Sequence, residues 1–133
     1  MKIGKTYNFS THGDHRGTLV AVDKYSGLPF ELRRIYYIFG TEKTSSRGHH
    51  AHKELHQLAI CLSGSCTMVL DNGFERESIL IDSPHVGIDL PPMLWHEMHD
   101  FSDDCILLVL ASDYFNEGDY IRDYQEFKNF INI

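Results

Sequence analysis

No apolar run in this chain is long enough to cross a bilayer. The longest are of the length of Cys105–Ala111, whereas a spanning helix needs about 20 apolar residues. The opening Met1-Lys-Ile-Gly-Lys-Thr6 lacks the apolar stretch of a secretory signal. Cysteine is scarce. Three residues, an odd number without CxxC spacing, argue against a disulfide framework and a structural zinc site, and a reducing cytoplasm is the expected location. Positive charge is also in short supply. Twelve Lys and Arg face nineteen Asp and Glu, a formal charge of −7. A basic footprint for nucleic acid or an anionic membrane is therefore not expected, although a local positive pocket is allowed. No linker, low-complexity tract or internal repeat breaks the 133 residues, of which 42% are hydrophobic. One domain over 1–133, with a core of its own, is predicted.

What the chain does contain is a series of short runs punctuated by glycine and proline. Gly17–Asp23 alternates, Arg33–Phe39 is rich in β-branched and aromatic residues, and Glu54–Leu62 ends at the turn Ser63-Gly64-Ser65. Asp71-Asn72-Gly73 is a hairpin signal between Thr67–Leu70 and Glu75–Ile81. Val86–Leu90 stops at Pro91-Pro92, and Trp95–Asp100 and Cys105–Ser112 complete the set. Strands at such regular spacing predict an all-β sandwich or barrel. The tail reads differently. In Asn116–Ile133 the apolar positions Tyr120, Ile121, Tyr124, Phe127, Phe130 and Ile131 trace one helical face. The spacing predicts a C-terminal α-helix capped by Asn116 and packed on the domain.

Nine histidines are present, and five of them are His49, His50, His52, His56 and His96. On a strand, His50 and His52 point to one face and His49 to the other. Two imidazoles on one face are either metal ligands or a pair of proton-transfer groups, unless the face is merely solvated. Gly48-His-His50-Ala-His52 with Gly64 beyond it, and Pro91-Pro-Met-Leu-Trp95-His96, resemble the first and second cupin motifs. The resemblance implies an antiparallel jelly-roll barrel with His50, His52 and His96 converging in one cavity. Gln57 stands where metal-holding cupins usually place a carboxylate, and an amide is a poorer ligand for a hard cation. Zinc on three neutral histidines remains open, but metal-free chemistry is the expectation, with no cofactor.

Without a metal, His50 and His52 can serve as base and acid near neutral pH. Tyr37, Arg47 or His96 can then stabilise an enediolate oxygen. Since Tyr36 and Tyr37 alternate, only one shares the histidines' side, and Tyr37 is taken as that one. Arg16, Arg47 and Lys53 are the basic residues best placed in sequence to meet an anionic substrate. Trp95 is a candidate for stacking on a base or sugar.

The strings Arg16-Gly17-Thr-Leu19, Arg33–Phe39, Arg47-Gly48-His-His50-Ala51-His52-Lys53, Trp95-His96-Glu97-Met98 and Val109–Tyr114 strongly resemble the sugar-nucleotide 3,4-ketoisomerases. The resemblance runs from about Phe9 to the C-terminal helix. It implies a thymidine-diphosphate-linked 4-keto-6-deoxyhexose as substrate and its 3-keto isomer as product, on the way to a 3-amino-3,6-dideoxyhexose of surface polysaccharide. It also implies a homodimer with exchanged N-terminal strands. His50 and His52 match the catalytic pair, with His52 favoured to remove the C3 proton. Tyr37 and Arg47 match sugar contacts, and Arg16, Lys53 and His96 are pocket candidates. Three alternatives stay open: a metal-dependent cupin enzyme such as a dioxygenase, a 3,5-epimerase on the same nucleotide sugar, and a non-catalytic nucleotide-sugar binding module. Cys61, Cys66 and Cys105 sit in apolar patterns and are expected to be inert core residues.

Overall fold

Alternation along the strands dictates two sheets that share one interior. In the computed structural model, which describes residues 3–132, twelve strands run in chain order. These are β1 (Thr6–Asn8), β2 (His12–Asp14), β3 (Gly17–Leu19), β4 (Arg34–Phe39), β5 (Arg47–His52) and β6 (Gln57–Ser63). Then follow β7 (Cys66–Asp71), β8 (Arg76–Ile81), β9 (Val86–Leu90), β10 (Trp95–His99), β11 (Ile106–Ala111) and β12 (Tyr120–Ile121), and last a helix α1 (Tyr124–Ile131). One sheet has the order β1-β9-β6-β11-β4 and the other β12-β5-β10-β7-β8. All pairings are antiparallel. The result is a jelly roll of the cupin type with one C-terminal helix.

The interior between the sheets is filled by Ala59, Cys61, Met68, Leu70, Ile88, Leu107 and Val109. β6 and β11 are apolar on both faces because both faces are covered. Their outer side chains, Leu58, Ile60 and Leu110, lie under Phe9, Val20, Val22, Leu28 and Phe30 of the N-terminal segment. The three thiols are buried and free, as the sequence reading expects. The predicted hairpin joins β7 to β8: Gly73 takes φ 94°, and the Asn72 side-chain oxygen accepts from the backbone N–H groups of Phe74 and Glu75.

The tail corrects the single long helix. Asn116 caps only a 3-10 turn, Glu117–Asp119, and the chain then adds β12 to the sheet. The α-helix starts at Tyr124, capped by Asp123, whose carboxylate accepts from the Glu126 N–H. Tyr120 and Ile121 satisfy their backbone groups across β5, opposite His52 and Ala51. Ile121 is thereby fully buried. α1 then covers Trp95 and Ala51 with Phe127.

Candidate active site

The site is built by a β-bulge. His50 lies directly opposite His96 on β10, while Glu97 faces Gly48, so His49 is the extra residue on β5. Gly48 and His49 take φ 84° and 60°. A β-carbon on residue 48 would sit 2.9 Å from the His96 carbonyl oxygen, so only glycine fits there. Beyond the bulge, His50 and His52 share the inner face. The ring centroids of His50 lie 4.9 Å from His52 and 4.7 Å from His96. Tyr120 on β12 packs edge-on against His50 and His52, at 4.8 and 4.3 Å.

Hydrogen bonds set the tautomers. Nδ1 of His50 is 3.0 Å from the Gly48 carbonyl and Nδ1 of His96 is 3.3 Å from that of Leu94. A carbonyl only accepts, so Nδ1 carries the proton and Nε2 keeps its lone pair. His52 is different. It is 2% exposed, and neither ring nitrogen has a hydrogen-bond partner. Its Nδ1 lies 3.4 Å from Asp119 Oδ2, an ion-pair distance rather than a made hydrogen bond. Asp119 is itself fixed by the backbone N–H groups of Glu54 and Leu55, at 2.8 and 3.0 Å. Orphaned buried nitrogens are costly, and this sets His52 apart from His50 and His96.

Burial keeps the trio neutral. It pulls His50 down to about 4, with the neighbouring His52 adding to the effect, and His96 down to about 3. Burial also pulls His52 down to about 4, against the opposing pull of Asp119. At neutral pH all three are free bases, and only His52 has a carboxylate ready to stabilise its imidazolium.

The assignment of Tyr37 to the histidines' side is corrected. Tyr37 stands on the outer face, 60% exposed, and Tyr36 turns inward. Pleating from Arg34 on puts Arg34, Tyr36 and Ile38 inside. The Tyr36 hydroxyl donates to Gln57 Oε1 at 2.6 Å, and burial pushes its pKa up to about 12. The Gln57 side-chain nitrogen and Arg34 Nε are buried without partners.

Trp95 is likewise not a stacking platform. It points away from the histidines, packs on Tyr124 and Phe127, and donates Nε1–H to Glu97 at 2.8 Å. Lys53 alternates outward from His52 and extends over the Phe130 ring, 5.3 Å from its centre. Arg16 is ion-paired with Asp14 in the β2–β3 hairpin, outside the histidine cluster. Arg47 is exposed at the start of β5, and its charge reaches Tyr36. His96 joins the cluster.

The sequence reading missed Tyr36, Asp119 and Tyr120. The β4 alternation offers Tyr36 and Tyr37 equally, since both faces carry apolar or aromatic groups, and Asp119 and Tyr120 became visible only with β12. The ligand nitrogens of His50, His52 and His96 lie within 4.8 Å of one another. They suit zinc better than a hard cation, since the Gln57 oxygen is committed to Tyr36. A cavity of about 100 Å³ beside them is lined by His52, Leu55, Ser112, Tyr114, Asp119 and Tyr120.

A double-sheet jelly roll closing on three imidazoles from the two cupin motifs defines the class: a cupin with a histidine-lined interior. The family model described as "FdtA: WxcM-like, C-terminal" matches residues 3–132, and the chain belongs to this family of sugar 3,4-ketoisomerases. A TDP-4-oxo-6-deoxy-alpha-D-glucose-3,4-oxoisomerase of Aneurinibacillus thermoaerophilus is 51% identical, over 96% of this chain and 91% of that protein. The crystal structure of a 3,4-ketoisomerase from Helicobacter canadensis superposes with a TM-score of 0.95 at 44% identity, covering 100% of both chains. QdtA, a sugar 3,4-ketoisomerase from Thermoanaerobacterium thermosaccharolyticum solved with TDP, gives a TM-score of 0.94 at 39% identity, covering 97% of this chain and 94% of that one. Among the described residues no helix is long and apolar enough to cross a membrane.

Proposed function

We propose that this chain isomerises a thymidine-diphosphate-linked 4-keto-6-deoxyglucose to its 3-keto isomer, with His52 as the base at C3. The observation that carries the reading is His52 itself: buried, without a hydrogen-bond partner, beside His50 and backed by Asp119. The C4 carbonyl already acidifies the C3 hydrogen. His52 takes that proton, the electron pair forms a C3–C4 double bond, and the His52 imidazolium gives the proton to the oxygen at C4. The C3 hydroxyl then gives its proton to Nε2 of His50, which makes the C3 carbonyl, and His50 returns that proton to C4. Protons and electrons balance, so the reaction needs no external oxidant. Asp119 favours the imidazolium on His52 over His50, which orders the pair. Each positioned transfer contributes roughly 100- to 10,000-fold. The product suits amination at C3 toward a 3-amino-3,6-dideoxyhexose of surface polysaccharide.

Proton NMR of the TDP-4-keto-6-deoxyglucose substrate in heavy water tests this. The expected result is movement of the carbonyl from C4 to C3, with turnover nearly abolished in His52→Asn. Exchange at C5 would assign a 3,5-epimerase, and binding without exchange a non-catalytic module. Unchanged turnover after exhaustive chelation supports the metal-free route, and its loss with restoration by metal overturns it.

A homodimer with exchanged N-terminal strands completes the reading. β4 is a sheet edge with no further strand beside it among the described residues, and it exposes Ile35, Tyr37 and Phe39. An apolar open edge invites a partner strand. Among the described residues the β2–β3 hairpin pairs only with itself, and it carries Arg16. Exchange would cover the edge and bring Arg16 to a neighbouring subunit. Light scattering at micromolar concentration checks the mass, and a monomer overturns the exchange.

A further inference from the structure

The bulge that aims His50 inward leaves His49 on the outer face of the same sheet, where β10 presents Glu97 and His99. His99 Nε2 is 2.8 Å from Glu97 Oε1, and His49 Nδ1 is 3.7 Å from the same oxygen. The three ligand atoms lie within 4.8 Å of one another, and a cation would take the place of the proton that His99 Nε2 donates to the carboxylate. Ligands bound to zinc at about 2.0–2.1 Å in a tetrahedron stand about 3.3 Å apart, so small rotations of two rings close the set.

The surroundings orient these groups as an outer shell orients metal ligands. Ser46 Oγ sits 2.8 Å from His49 Nε2, which places the ring proton there when the hydroxyl accepts and frees Nδ1 as a lone pair. Trp95 Nε1 donates to Glu97 Oε2 at 2.8 Å and Arg76 lies 3.6 Å from it, so the other oxygen faces the histidines. Burial alone would raise the Glu97 carboxyl, but the hydrogen bonds from Trp95 and His99 and the Arg76 charge hold it below its ordinary value. The side chains of His49 and His99 are 45% and 34% exposed, so an ion can enter from solvent. His49 holds a left-handed φ of 60°, uncommon for a residue with a β-carbon.

We propose that His49, Glu97 and His99 form a surface site for a zinc-class divalent cation, with water completing the coordination. The site clamps β5 to β10 from outside, behind His50 and His96, and is separate from the inner histidine trio. Two imidazoles and one carboxylate select zinc, nickel or copper over magnesium or calcium.

Calorimetric titration with zinc chloride tests it, using wild type, His99→Gln, and the inner double variant His50→Asn/His52→Asn. The expected result is zinc binding in wild type and in the inner variant, with affinity at the outer site falling at least tenfold in His99→Gln. Saturating zinc also raises the melting temperature of wild type and of the inner variant, but not that of the inner variant carrying His99→Gln. Isomerase turnover in His99→Gln stays at the wild-type level. Absence of zinc binding up to millimolar concentration overturns the proposal. So does binding that vanishes in the inner variant, or that survives His99→Gln undiminished.

Discussion

The buried imidazoles make this barrel sensitive to acid. In the unfolded chain a histidine titrates near 6.5. In the folded barrel His50 and His52 are pulled to about 4 and His96 to about 3, chiefly by burial. Between pH 6.5 and 4 the unfolded chain therefore holds more protons than the native one, and stability falls as the pH falls. From pH 6.5 to 5.0 each group removes roughly 1 to 2 kcal/mol, or about 3 to 6 kcal/mol for the trio. A domain of this size has about 5–15 kcal/mol in all. Carboxylates held low, such as Glu97, lose their contribution at more acid pH, below their unfolded value of about 4.3, so the two effects separate. Urea melts at fixed protein concentration from pH 7.5 to 5.0 measure the slope. A change smaller than about 1 kcal/mol between pH 6.5 and 5.0 refutes the reasoning. So does an unaltered slope in His50→Asn/His52→Asn/His96→Asn.

Asp119→Asn removes the charge 3.4 Å from His52. It is expected to lower kcat by about 100-fold with little change in KM, well within the Coulomb energy at that distance. The acid limb of its pH–rate profile should also move to lower pH, which a merely structural role would not cause. Gly48→Ala places a β-carbon 2.9 Å from the His96 oxygen at a φ of 84°. A loss of about 1–3 kcal/mol is expected in urea melts, with turnover reduced because the bulge aims His50. Phe127→Ala empties the fully buried position under α1. It should cost about 3–5 kcal/mol in thermal unfolding.

Much of the architecture was legible in local pattern. The turn at Asn72-Gly73 and the apolar runs of β6 and β11 are strings whose neighbours along the chain dictate their conformation. The pairing of His50 with His52 followed from the two-residue period of a strand, and His96 from its motif. Which face of β4 looks inward was not legible, because Arg33–Phe39 carries apolar or aromatic groups on both faces. Only burial against Gln57 chose Tyr36 over Tyr37. Trp95 and Lys53 read as site residues by proximity in sequence to His96 and His52, yet one step along a strand reverses direction: α1 covers Trp95, and Lys53 stays exposed over the Phe130 ring. The tail turned on a long-range contact: Tyr120 and Ile121 fit a helical stripe, but their pairing with β5 placed Asp119 behind His52. Sequence alone determined most of the strands from β3 to β11 and the pairing of His50 with His52, because periodicity and turn chemistry are properties of adjacent residues, whereas β1, β2 and β12 took shape only through their partners. The partner that makes one histidine unlike the other two was decided only by tertiary structure, because Asp119 lies 67 positions away and reaches His52 only when the sheet closes.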